Sequence, residues 1–81
     1  MISIKICTKS INNQNFLVIN DTLVIPLSEI DFINLNANHL IKIQNSLSIH
    51  TKDEHNWIFI NYHADIIREF LINNKIKVNF K

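Results

Sequence analysis

Apolar and polar residues alternate with period two at both ends of this chain. At the start, Ile2-Ser3-Ile4-Lys5-Ile6-Cys7 puts Ile2, Ile4 and Ile6 on one side, the pattern of a half-buried strand. Near the end, Lys75-Ile76-Lys77-Val78-Asn79-Phe80-Lys81 repeats the pattern. Residues 16–19 are apolar at every position, a strand that calls for cover on both faces. Asn20-Asp21 then reads as a two-residue hairpin turn into a third strand over 22–25, whose ladder Pro26 stops. Pro26-Leu27-Ser28-Glu29 predicts a corner or a single helical turn with Ser28 as its cap. Ile30, Phe32 and Leu35 resume the alternation, and 39–44, 47–50 and 57–60 predict three further strands. A turn at Asn45-Ser46 joins the first two of these, and 51–56 is the most polar stretch and predicts an exposed loop.

The period changes only once. Over 62–71, Tyr62, Ile66 and Phe70 form one i, i+4 row and Ile67 and Leu71 another, which predicts an amphipathic helix. Asn61 suits its N-cap, Asp65 its acid-favouring start and Arg68 its later turns, while Asn73-Asn74 suit a left-handed exit. The chain therefore reads as a single small globular domain over 1–81. It is α+β, a mostly antiparallel β-sheet or roll of six or seven short strands with one amphipathic helix near the C-terminus. Burying Ile66, Ile67, Phe70 and Leu71 against the sheet contributes about 1.5–3 kcal/mol each. One helix does not cover both faces of so large a sheet, so the sheet must curl into a roll or barrel or pair with another chain.

Composition gives the architecture more clearly than the function, but it excludes several function classes. With 47% hydrophobic and 19% charged residues, the 81-residue chain is not disordered, and no apolar run is long enough for a membrane span. It has no glycine, which excludes phosphate-cradling loops, dinucleotide fingerprints and the nucleophile elbow. Asparagine, which tolerates positive φ, is left to make the turns. The 17 isoleucines, 13 asparagines and seven lysines against one arginine share AT-rich codons and point to a bacterium, phage or parasite with such a genome. Arginine scarcity here says nothing about phosphate recognition. Cys7 is the only cysteine, so no internal disulfide forms. Ser3, Lys5 and Lys9 interrupt the apolar start, which does not read as a signal peptide; the cytoplasm of a bacterial or infected host cell is the expected location.

Candidate chemistry is sparse. His50, His55 and His63 surround Asp53 and Glu54, but their spacing fits no zinc pattern, so no metal and no cofactor are expected. Cys7, Ser28 and Ser48 are available nucleophiles, yet nothing in the sequence brings one to a base. His63 and Asp65, two apart on a helix, do not face each other. The expectation is a protein that is not an enzyme. Lys5, Lys9, Lys75, Lys77 and Lys81 bracket an acidic middle and would form one basic edge if the termini paired, which is the basis of a nucleic-acid-binding alternative. Trp57 opens a strand directly after the polar loop, and with His55, Asp53 and Glu54 it marks a candidate partner-binding site.

Val24-Ile25-Pro26-Leu27-Ser28-Glu29-Ile30-Asp31-Phe32-Ile33, followed by the strands over 40–43, 47–49 and 57–60 and a closing helix, resembles small bacterial PH-like domains. That resemblance spans about residues 15–73 and implies a bent β-barrel capped by a C-terminal helix, acting in binding or assembly. The terminal alternation over 75–80 departs from it. The Ile25-Pro26-Leu27-Ser28-Glu29-Ile30 opening is also similar to one in LytTR-type DNA-binding domains. The leading expectation is a non-catalytic protein-binding module, encoded by a phage or mobile element and acting as an inhibitor that occupies a host or defence protein's surface. A protein partner is expected, with a homodimer formed through the last strand as one arrangement. A nucleic-acid-binding regulator is the alternative, and no membrane partner is expected.

Overall fold

Without glycine, the tight turns fall to residues that carry a Cβ yet accept positive φ. In the computed structural model of the chain, which describes residues 4–36 and 45–81, Asn12 and Asn13 have φ of 52° and 65° and close a two-residue hairpin between Ile11 and Gln14. Positive φ at both positions is what the right-handed twist of a tight hairpin requires. The hairpin joins β1 (Ile6–Ile11) to β2 (Gln14–Ile19), and β3 (Leu23–Pro26) pairs with β2 in turn, giving an antiparallel sheet of order β1-β2-β3. Asn20 and Asp21 are also left-handed, but Ile19 faces Leu23, so their turn has three residues, Thr22 included, rather than two. Asn20 exchanges main-chain and side-chain hydrogen bonds of 2.8 Å with Lys5. That pairing explains why β1 begins at Ile6: Lys5 already lies opposite a turn.

Pro26 ends an edge strand, where a missing N–H costs nothing, and Leu27–Glu29 form one 3-10 turn. Ser28 lies inside that turn and does not cap it. A second antiparallel sheet follows, β4 (Ile30–Asn34), β5 (Ser46–Thr51) and β6 (Asn56–Ile60), with β5 central and a bulge between Ile30 and Phe32. The strand expected over 39–44 lies outside the described residues. The polar stretch over 51–56 is shorter as a loop than its sequence suggests, because Thr51 is buried in β5 and Asn56 opens β6.

The helix, α1 (Asn61–Asn73), buries Ala64, Ile67 and Leu71 and half-buries Ile66 and Phe70, while Tyr62 stays exposed. Asn61 makes no side-chain cap; its φ is 53°, and it turns the chain from strand to helix while bonded to Asn45 through both main-chain groups. At the far end the left-handed residue is Lys75, not Asn73 or Asn74, because the Asn74 amide instead donates to the Phe70 carbonyl at 2.9 Å. Beyond it, Ile76 and Val78 pack against the core, and Phe80 lies beside Ile33 in parallel, with Ile33 N–H donating to Asn79 and Lys81 N–H to Ile33. The terminal alternation thus marks Ile76 and Val78 as inward, but Phe80, in the same phase, is 41% exposed, and the segment makes one isolated bridge rather than a strand. The segment completes β4 rather than meeting the N-terminal strand, so the termini do not form one basic edge.

One core joins the layers: Leu17, Ile19 and Ile25 from the first sheet, Ile30, Ile33, Leu47 and Ile49 from the second, and Ala64, Ile67 and Leu71 from the helix. The fold is α+β and mostly antiparallel sheet. The only arginine bridges distant parts of it. Arg68 donates to the Leu35 carbonyl at 2.9 Å, the Asn45 side chain at 3.0 Å and Asp65 at 3.1 Å. Among the described residues, no helix is long and apolar enough to cross a membrane.

Candidate binding surface

Side chains alternate across a strand, so each inward row in the first sheet implies an outward one. Ile6, Leu17, Ile19, Leu23 and Ile25 face the core, which leaves Cys7, Val18 and Val24 as one outward row and Lys9, Phe16 and Pro26 as the next. No element of the described chain covers this outer face. Val18 is nonetheless only 3% exposed, while Val24 is 53% and Ile11 55% exposed. Of residues 16–19, expected to need cover on both faces, Leu17 and Ile19 pack in the core, Val18 is buried on the outward side and Phe16 is half-buried there. The three strands carry no acid, and Lys5 and Lys9 flank the apolar centre.

The candidate residues after β5 come together in part. His55 Nδ1 lies 3.0 Å from Asp53, and its ring lies 6.0 Å from that of Trp57, tilted. Glu54 takes the left-handed position of the turn with φ of 68°. Trp57 is half-buried and packs against the core. The Thr51 hydroxyl, then His55, holds the Asp53 carboxyl below its ordinary value. A depressed carboxylate stabilises the turn above its unfolded pKa, and that contribution is lost as pH falls through the folded value. Thr51→Val is therefore expected to raise the Asp53 pKa toward the ordinary 3.8, read by NMR titration of the carboxyl carbon. No change would assign the depression elsewhere.

The five lysines are spread over the molecule. Lys5 and Lys9 belong to the first sheet's outer face, and Lys81 sits 4.0 Å above the Phe32 ring. Lys75 and Lys77 line a shallow groove of about 400 Å³ with Thr8, Asn15, Leu27 and Ile76.

A further cluster lies on the outer face of the second sheet. His50 Nδ1 donates to the Asn56 side-chain oxygen at 2.7 Å, which leaves Nε2 to accept from the Ser48 hydroxyl at 2.7 Å. Phe32 stacks on the imidazole at 4.1 Å, with Lys81 beyond it. The signal for this contact is present in the sequence. Ser48 and His50 stand two apart on a strand and so share a face, the same spacing that separates His63 from Asp65 on the helix. The order nucleophile, base, orienting amide resembles a hydrolytic relay. Ser48, however, is 0% exposed, so the bonds hold a buried hydroxyl and a ring in place without presenting the oxygen to a substrate. His55, next to Asn56, turns its ring to Asp53 and Trp57 instead, His63 lies on α1, and no three metal-ligating side chains converge among the described residues. The chain matches no family model, no curated protein and no solved structure.

Proposed function

We propose that the chain is a non-catalytic protein-binding module that docks its partner on the outer face of the β1–β3 sheet. The observation that carries this reading is a sheet face apolar across all three strands, uncovered by any described element, with Ile11 and Val24 more than half exposed. Apolar side chains exposed on an uncovered sheet face mark interaction sites in small domains. The partner is a protein with an apolar patch edged by carboxylates, because Lys5 and Lys9 border the face and no acid lies on its strands. Two antiparallel sheets closed by a C-terminal helix support the likeness to PH-like binding modules. An inhibitor that occupies a host or defence protein would act by this same docking.

The test begins by cross-linking the intact chain in its source cells and identifying the protein captured. Val24→Lys or Lys9→Glu is expected to weaken binding to that protein at least tenfold by calorimetry, with Ile58→Lys unchanged. Unaltered affinity in Val24→Lys and Lys9→Glu sinks this assignment of the face.

A further inference from the structure

The geometry points to a symmetric dimer in which the β6 strands of two copies pair antiparallel about Ile58. It concerns a different surface from the docking face above. The hydrogen-bond phase of the second sheet fixes which groups of β6 are free. Thr51 N–H donates to the His55 carbonyl at 3.0 Å and Asn61 N–H to the Asn45 carbonyl at 2.8 Å. Residues 55 and 61 therefore belong to the hydrogen-bonded phase, and so do Trp57 and Phe59, which face Ile49 and Leu47. The main-chain groups of Asn56 and Ile58 and the N–H of Ile60 point the other way, while the Ile60 carbonyl, at the N-cap of α1, accepts the first helical bond.

A two-fold axis through Ile58 sets Ile58 opposite Ile58 of the second copy and Asn56 opposite its Ile60. The Ile58 pair exchanges two hydrogen bonds, and each Asn56–Ile60 pair adds one from the Ile60 N–H to the Asn56 carbonyl. Moving the axis to Phe59 leaves only two such bonds, and moving it to Trp57 keeps four but sets Phe59 opposite His55 instead of opposite Trp57. The same register puts Trp57 opposite Phe59 of the second copy, twice, at positions where side chains approach most closely. Both are only half-buried in the single chain, and Ile58 and Ile60 beside them are 52% and 44% exposed.

Charge favours a second copy as the occupant. The segment Asn56-Trp57-Ile58-Phe59-Ile60 carries none, so identical strands meet without repulsion, and it has no lysine, proline or bulge of the kind that guards an edge. Continued past the strand, the register carries Asp53 and Glu54 of each copy toward the first helical turn of the other, beside His63. An acid is favoured there by the helix dipole.

Light scattering on the full-length chain is expected to give twice the 9.5 kDa chain mass, falling to one chain mass in Ile58→Lys. Ile58→Pro, which removes an outward N–H and no bond within the sheet, is expected to do the same with an unchanged circular dichroism spectrum. In a Cys7→Ser background, oxidised Ile58→Cys is expected to cross-link to itself and Ile60→Cys is not, because residue 60 faces Asn56. A wild-type mass of one chain up to about millimolar concentration overturns the proposal. So does a dimer that persists in both Ile58 variants, or one that Val24→Lys disrupts while Ile58→Lys does not.

Discussion

Arg68→Ala is expected to destabilise the fold by about 3 kcal/mol and lower the melting temperature by roughly 15 °C, measured by urea and thermal unfolding. The side chain is 20% exposed, and its guanidinium is the donor for the Leu35 carbonyl and the Asn45 side-chain oxygen. Hydrogen bonds to a charged group are worth about 1.5–3 kcal/mol, and truncation leaves the acceptors facing an apolar methyl. The ion pair with Asp65 is a minor part, since that carboxylate is 59% exposed and water screens it. Asp65→Ala is accordingly expected to cost no more than about 1 kcal/mol. Arg68→Lys recovers only part of the loss, because an ammonium lacks the fork that reaches Leu35, Asn45 and Asp65 together. Equal losses in Arg68→Ala and Asp65→Ala would mean that the ion pair, not the main-chain clamp, carries the effect.

Arg68 also shows where sequence legibility ends. Read locally, an arginine in the later turns of a helix complements the dipole, and that reading is complete without any distant partner. Its actual partners lie 33 and 23 residues away in sequence, and periodicity says nothing about such distances. The terminal segment divides the same way. Alternation identifies Ile76 and Val78 as inward residues, but the choice of β4 as neighbour comes from the end of the helix, which delivers the chain beside Ile33. Turn positions are legible from asparagine, yet loop length at Asn20 and the left-handed residue after the helix depend on hydrogen bonds to Lys5 and Phe70. Among the candidate site residues, Asp53, His55 and Trp57 gather because they are neighbours around one turn. The lysines scatter because their grouping assumes a pairing of the termini. The outer face of the first sheet was visible as excess apolar strand, but which face remains open is decided only by where the helix lands.

Leu17→Ala is expected to cost about 2–5 kcal/mol, while Val24→Thr, on a neighbouring strand of the same sheet, changes stability by less than about 0.5 kcal/mol. Leu17 is fully buried, opposite Ile25, and touches the layer formed by the second sheet and the helix. Truncation there removes apolar contact and leaves a cavity that three converging elements do not readily close. An 81-residue domain has about 4–12 kcal/mol in total, so this single change consumes a large fraction of it. Val24 is on the opposite face and already meets water, so a hydroxyl in place of a methyl alters little in the isolated chain. The contrast decides more than stability. If both substitutions destabilise alike in chemical denaturation, the outer face is covered in the free protein and is not available for docking. If only Leu17→Ala does, Val24 is free of any role in the core, and its losses must appear in binding.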